Sequence, residues 1–298
     1  MIQQYSKGIF LKILHSFIFV LLSVLLVKYS TSHNIIQVLF FRALIGCIIS
    51  LIILKILGIP LVLKIGRSSL YMYITRALLN LLGLLIWIGA IKRLGMNEAV
   101  ALGYITPVWL TIAAMIFCAE KVTFLNISLV LLNTVGVVLI LQPKLHDVST
   151  LGLVAALLST VIWAAYDTIC KKQTYTEHYL LQSLYIHFIL GVLIAPFAVY
   201  VWEPVSISDL LGFSLISFIG VVNVIVLFAG YIYAPIIVLI PFSYSRLLFA
   251  TFASYILYDT LPTSGCLIGA SIIIVTELYS YIITSKSHTE ANIKNPLT

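Results

Sequence analysis

Charge is scarce in this chain. Asp, Glu, Lys and Arg make up 9% of its 298 residues, where a soluble globular domain carries about 25%. So little charge excludes an ordinary water-soluble fold. Cysteine is also sparse: Cys47, Cys118, Cys170 and Cys266 lie in or beside apolar stretches, and no two stand in a C-x-x-C spacing. That argues against a disulfide framework and against a metal site. There is no G-x-x-x-x-G-K-[ST] phosphate loop, no H-E-x-x-H pair and no G-x-S-x-G turn. Direct use of ATP and the common hydrolytic chemistries are thereby disfavoured. The histidines His15 and His187 stand far apart in sequence, no rings of like charge mark a channel, and no cofactor is expected. The net charge of +7 comes from cations spread one to three per connection. Without a basic run or face it does not point to nucleic acid.

What fills the chain instead is apolar. Hydrophobic residues reach 62% and the mean hydropathy is +1.15. A bilayer core about 30 Å thick needs about 20 apolar residues per helix. On that measure ten segments appear, at 8–28, 35–57, 69–90, 97–118, 124–142, 151–171, 181–201, 210–231, 234–257 and 265–284. The expected fold is an all-α integral membrane protein of ten transmembrane helices. Lys7 and Lys12 precede the first apolar run, but Val27-Lys28-Tyr29-Ser30 offers no small-x-small cleavage site, so that run is read as an uncleaved first helix. The polar tail 285–298 is expected to be disordered and cytoplasmic.

Orientation follows from Lys and Arg in the connections. With the N-terminus inside, the inner face collects Lys7, Lys12, Lys55, Lys64, Arg67, Lys121, Lys171, Lys172, Lys286 and Lys294, ten cations, against Lys28, Lys92, Arg93 and Lys144 outside. Both termini are therefore expected in the cytoplasm.

The chain also repeats itself. An apolar segment carrying Pro107 runs to a lone acid, Glu120; 139 residues later a segment carrying Arg246 runs to Asp259, and one apolar segment follows each. Phe40-Phe41-Arg42-Ala43-Leu44-Ile45-Gly46 lies over Tyr185-Ile186-His187-Phe188-Ile189-Leu190-Gly191 at an offset of 145. Such a repeat spans about five crossings, an odd number, so residues 1–145 and 146–284 enter the bilayer from opposite sides, as in secondary transporters with a substrate site between the halves.

Arg76-Ala77-Leu78, Trp87, Ala90, Leu94, Glu98-Ala99, Pro107 and Glu120-Lys121-Val122-Thr123 follow one another in this order. The stretch resembles the EamA type of the drug/metabolite transporter superfamily. The resemblance covers nearly the whole chain and implies ten helices in two inverted five-helix repeats in a bacterial inner membrane. Ala234-Pro235, Pro241-Phe242-Ser243-Tyr244-Ser245-Arg246-Leu247, Leu261-Pro262 and Gly269-Ala270-Ser271 look like the branch that includes S-adenosylmethionine uptake transporters. Asp259 replaces that family's usual Glu, and Glu277 stands where a small residue is usual.

An ionisable group within a membrane helix costs a few kcal/mol and faces the bundle interior. Arg246 is the deepest, about 18 Å from the start of its segment at 1.5 Å per residue. Either it holds a carboxylate or phosphate of a substrate, with Tyr244 nearby, or it pairs with an intramembrane acid to lock the halves. Asp167 follows Gly152, Ala156, Thr160 and Ala164, small residues every fourth position that let a neighbouring helix come close. It meets either a cationic substrate or proton, or Lys171 one turn on. Arg42 and Arg76 lie about 10 Å inside and suit structure or gating better than substrate contact. His187, at the repeat position of Arg42, is either a titratable group or a packing group. Trp163, Trp109 and Tyr104 could stack on a planar ring or a cation, although most membrane aromatics pack or mark interfaces. Pro107 beside Gly103 predicts a kink, and Gly265-x-x-x-Gly269 predicts close helix packing. Glu120 and Asp259 close the corresponding segments.

These residues lead to a secondary carrier for a small polar metabolite, working as a monomer or homodimer among membrane lipids. S-adenosylmethionine uptake, in exchange for S-adenosylhomocysteine, would use an acid, an aromatic and an Arg. An amino-acid or metabolite exporter fits the same residue types. An intramembrane enzyme is the remote alternative.

Overall fold

Backbone amides in lipid must be satisfied within the chain, and a helix does this inside one segment. The computed structural model describes residues 2–30, 32–61, 66–94, 96–142, 149–258 and 263–294, and the regular structure there is helical. The first half comprises α1 (Ile2–Ser30), α2 (Ile35–Ile56), α3 (Arg67–Leu94), α4 (Met96–Gly103), α5 (Thr106–Phe117) and α6 (Phe124–Leu141). The second comprises α7 (Thr150–Gln173), α8 (Tyr179–Tyr200), α9 (Ile207–Tyr233), α10 (Ile236–Leu239), α11 (Ser245–Tyr258) and α12 (Ser264–Lys294). Among the described residues nine spans are long and apolar enough to cross a membrane, one of them running across the α4–α5 break.

Polar residues set the starts. Asn34, Thr123, Ser149, His178 and Ser206 each accept a backbone N–H in the first turn of α2, α6, α7, α8 and α9. Thr123 and Ser206 have the bond returned by Asn126 and Asp209, a reciprocal cap in which each Thr or Ser contributes about 1 kcal/mol.

Two expectations are corrected. The stretch 234–257 is not one helix. It is α10, a 3-10 turn over Pro241–Ser243, and α11, because Pro235 and Pro241 cannot donate to a helical ladder. The tail expected to be disordered continues α12 as far as Lys294, and neither Gly nor Pro interrupts the chain between Ala270 and that point. Asp259 and Pro262 lie outside the described residues.

The packing runs equivalent helices against each other. On α2 and α8, Ala43 faces Gly191, Gly46 faces His187, and the hydroxyls of Ser50 and Ser183 are 3.1 Å apart. Numbers rise on one helix as they fall on the other, so the pair is antiparallel. The α6–α12 pair does the same, with Gly136 against Gly269 and Ile273, and Gln142 against Gly265. A Cβ on Gly136 would stand 2.9 Å from the Gly269 carbonyl oxygen, the close approach that small residues allow between membrane helices. The remaining pairs exchange between halves: α3 packs on α7 and α1 on α9. Antiparallel counterparts and exchanged partners are what two inverted repeats produce. The N-terminal part of α1 and the C-terminal part of α12 share one end of the bundle, where Ser6 and Tyr281 border the same groove.

Candidate functional site

Two spans are broken, and the breaks correspond. In the first half α4 stops at Gly103 and α5 starts at Thr106, whose hydroxyl donates to the Gly103 carbonyl at 2.7 Å. Pro107 stands in the first turn of α5, where its missing N–H would have no helical partner anyway. In the second half the 3-10 turn ends at Ser243 and α11 starts at Ser245, whose hydroxyl donates to Phe242 O at 2.6 Å. At the offset of 139 residues the first break falls on the second. Both halves therefore bend, and Arg246 is an addition to the bend rather than a substitute for it. Corresponding interrupted helices are the strongest backbone pointer to a transporter site.

The breaks meet through aromatic rings. Tyr104 and Tyr244 stack with centroids 6.1 Å apart and planes 20° from parallel. Tyr244 is held from α6, its hydroxyl 3.2 Å from Thr134 Oγ1. Around this stack lie the charges. Arg246, in the first turn of α11, sets its guanidinium 3.8 Å from the Phe19 ring centroid of α1, and its buried Nε has no hydrogen-bond partner among the described residues. Asp167 on α7 lies within electrostatic reach of Lys12, Arg246 and Arg76, and beside the Tyr231 hydroxyl. Among the described residues no cation comes within ion-pair distance of its carboxylate. Asp167 and Tyr104 are deep in the bundle yet keep part of their surface accessible.

Sequence reasoning missed Lys12. It sorts with the loop cations there, but α1 begins at Ile2, which sets Lys12 about 15 Å along the helix. The residue is only 4% exposed, with its ammonium 5.7 Å from the Tyr231 ring centroid. The spacing Lys12, His15, Phe19 on one helical face was the available signal. Two cations, Lys12 and Arg246, thus face one anion, Asp167.

Trp163 lies one turn before Asp167, but its indole packs over Gly83 of α3 and edge-on to Tyr166 at 5.9 Å. Trp109 does not join the group: it is 37% exposed on α5.

Other charged residues brace the bundle. Arg76 is fully buried. It donates to Gln173, and to Gln182 at 3.2 Å, while the Phe228, Tyr166 and Tyr73 rings surround it at 4.7, 5.4 and 5.9 Å. Arg42 approaches α9 where Gly220 leaves room, 2.9 Å from where a Cβ would stand. Its repeat partner His187 is 4% exposed, with Nδ1 2.7 Å from Ser183 O and its ring against Gly46. Lys171 does not pair with Asp167; it donates to the carbonyls of Tyr231 and Ala234. Glu120 accepts from Ile236 N at 2.9 Å and Ile237 N at 2.8 Å. A cation thus serves the carbonyl end of α9 and an anion the amide end of α10, the signs that helix dipoles favour. Ala119, at φ 52°, turns the chain so that Glu120 N bonds Ala114 O, a helix-ending motif that aims the Glu120 side chain.

Residues 6–142 match the EamA-like transporter family. The S-adenosylmethionine uptake transporter of Rickettsia bellii (strain RML369-C) is 23% identical over 248 residues, 82% of each chain. The riboflavin transporter of Brucella anthropi is 25% identical over 243 residues, 76% of this chain and 84% of its own. The pseudopaline exporter CntI of Pseudomonas aeruginosa is 23% identical over 221 residues, 74% of this chain and 75% of its own. One crystal structure of a protein superposes with a TM-score of 0.78, covering 94% of this chain and 98% of its own at 14% identity, a likeness of fold. By residues 6–142 the chain is similar to EamA-like transporters, and with nine apolar spans among its described residues it is a multi-pass membrane protein.

Proposed function

We propose that the protein is a secondary transporter of a small carboxylate-bearing metabolite, with S-adenosylmethionine uptake in exchange for S-adenosylhomocysteine as the first activity to test. The observation that carries this reading is the unpaired set Lys12, Asp167 and Arg246 beside the stacked tyrosines of two broken helices. Arg246 and Lys12 take the carboxylate, Asp167 takes a sulfonium or ammonium group, and Tyr104 and Tyr244 receive a planar ring. Trp163 borders the site. Residues 1–145 and 146–284 are the two repeats, rocking about this site in a bacterial inner membrane with both termini cytoplasmic. Arg76 holds the first repeat to the second, Arg42 and His187 gate the α2–α8 crossing, and Glu120, with Asp259 as its repeat counterpart, closes the ends of the broken spans. One chain carries the whole site, so a monomer suffices and a homodimer would double it.

Lys12 favours a second reading. S-adenosylmethionine carries two positive groups and one carboxylate, whereas the site has one more cation than anion. A metabolite with two or more carboxylates would balance it, as in an exporter of acidic metabolites. Counterflow in proteoliposomes, with labelled S-adenosylmethionine against amino acids of one and two carboxylates, separates the two. Stimulated exchange of S-adenosylmethionine supports the first; exchange confined to the dicarboxylates supports the second. Wild-type rates in Arg246→Ala would sink both.

A further inference from the structure

A second acid within a membrane span, half-buried, lies apart from the central group. Glu277 on α12 borders a groove of about 370 Å³ together with Ser6, Phe10 and Ile13 of α1 and Phe242 of the 3-10 turn. The groove's other walls are apolar apart from Tyr281. One carboxylate oxygen, Oε1, is buried without a hydrogen-bond partner. The carboxylate faces the backbone N–H of Ser245, the first residue of α11 and the neighbour of Arg246. Cations on the packed helices turn elsewhere: Lys7 lies over Tyr233, Lys12 over Tyr231 and Arg246 over Phe19. His15, also on α1, sends its backbone carbonyl to Asn223 of α9.

A lone carboxylate in apolar surroundings, with one oxygen unsatisfied, is costly unless something neutralises it. A metal ion would need several oxygen ligands, and among the described residues no group of three or more His, Cys, Asp or Glu gathers here. A proton needs none of these.

We propose that Glu277 is a proton-binding site coupled to transport. The carboxylate anchors the amide end of α11 when charged, and on protonation it loosens that anchor and lets Arg246 move. One proton is taken up as the carboxylate becomes the acid, and the same proton is released when the anchor re-forms. The inference rests on the transporter reading, but its test has one arm that does not.

That arm is labelling with dicyclohexylcarbodiimide, an apolar reagent that adds to protonated carboxyls, with the modified peptide located by mass spectrometry. Labelling at Glu277 that declines as pH rises, and is absent from Glu277→Gln, is the expected result. No labelling at any pH, or labelling indifferent to pH, overturns the proposal whether or not a substrate is known. The other arm uses whichever panel substrate the wild type exchanges. Glu277→Gln keeps an oxygen that can accept from Ser245 but cannot titrate. It should retain counterflow while losing about tenfold of its pH-gradient-driven accumulation, the scale of a typical coupling between two sites, and Glu277→Asp should recover part of it. Wild-type accumulation in Glu277→Gln overturns the proton site. Failure of the wild type to exchange any substrate overturns the transport reading instead, and leaves the labelling arm to decide on the proton.

Discussion

The two broken spans bend at corresponding positions and carry different chemistry. The α4–α5 break is closed by Thr106 bonding to Gly103, with Pro107 in the turn that follows. The α10–α11 break carries two prolines, takes Glu120 from the other half onto its amides, and holds Arg246 just beyond. The two bends correspond in position, and Arg246 stands at the second. Arg246 should therefore be irreplaceable in a way that nothing at the first break is. Arg246→Ala is expected to lower transport by about 10- to 100-fold, the size of a lost hydrogen bond to a charged group, with membrane levels unchanged. Moving the cation to the opposite bend, as Pro107→Arg in that background, should not restore it. Rescue measured in proteoliposomes at matched incorporation would mean the halves are interchangeable, and the contrast drawn here would fall.

Glu120 joins the halves differently, by lending a carboxylate from the end of the first broken span to the start of the second. Glu120→Gln keeps an acceptor but loses the charge, and should destabilise the protein by about 2 kcal/mol. In detergent that corresponds to a fall in melting temperature of roughly 4 °C for a chain of this size. A larger loss of transport than of stability would make Glu120 a gate; equal losses would make it a brace only.

The α6–α12 contact is where the halves are most alike. Gly136 and Gly269 each face the other's backbone, so Gly136→Val and Gly269→Val should cost similar amounts, about 1–3 kcal/mol each from overpacking. Thermal unfolding of both variants checks it, and a cost confined to one glycine would show that the crossing is less symmetric than its backbone.

Much of this arrangement can be read before any coordinates. Bilayer thickness sets segment length, so hydropathy marks ten segments, of which all but 234–257 are single spans among the described residues, and Gly265 and Gly269 declare a helix contact by their spacing. Three features escape such reading. Pro235 and Pro241 sit in an unbroken apolar run, and what stabilises the break there is Glu120, 116 residues away from Ile236. Lys12 looks like a flanking cation because only the true start of α1 shows how deep it lies. Trp109 has the right chemistry for a ring-binding site, but the packing of α5 decides which face it occupies, and its exposed position is set by contacts far along the chain.

The smallest effect belongs to Pro107. A proline in the first turn of a helix replaces an amide that has no helical partner, and Thr106 already closes the break. Pro107→Ala should therefore leave the bend in place, changing stability by less than about 1 kcal/mol and transport by less than about twofold. Pro241→Ala differs because Ser243 and Tyr244 bond back to Ile240 and Pro241 in a turn that an alanine would allow to continue as α-helix through to Ser245. If it does, Arg246 rotates away from Phe19, and transport should fall while the Pro107 variant remains active. Equal activity of the two would show that the prolines are equivalent relics of the duplication, and that the charge alone distinguishes the two bends.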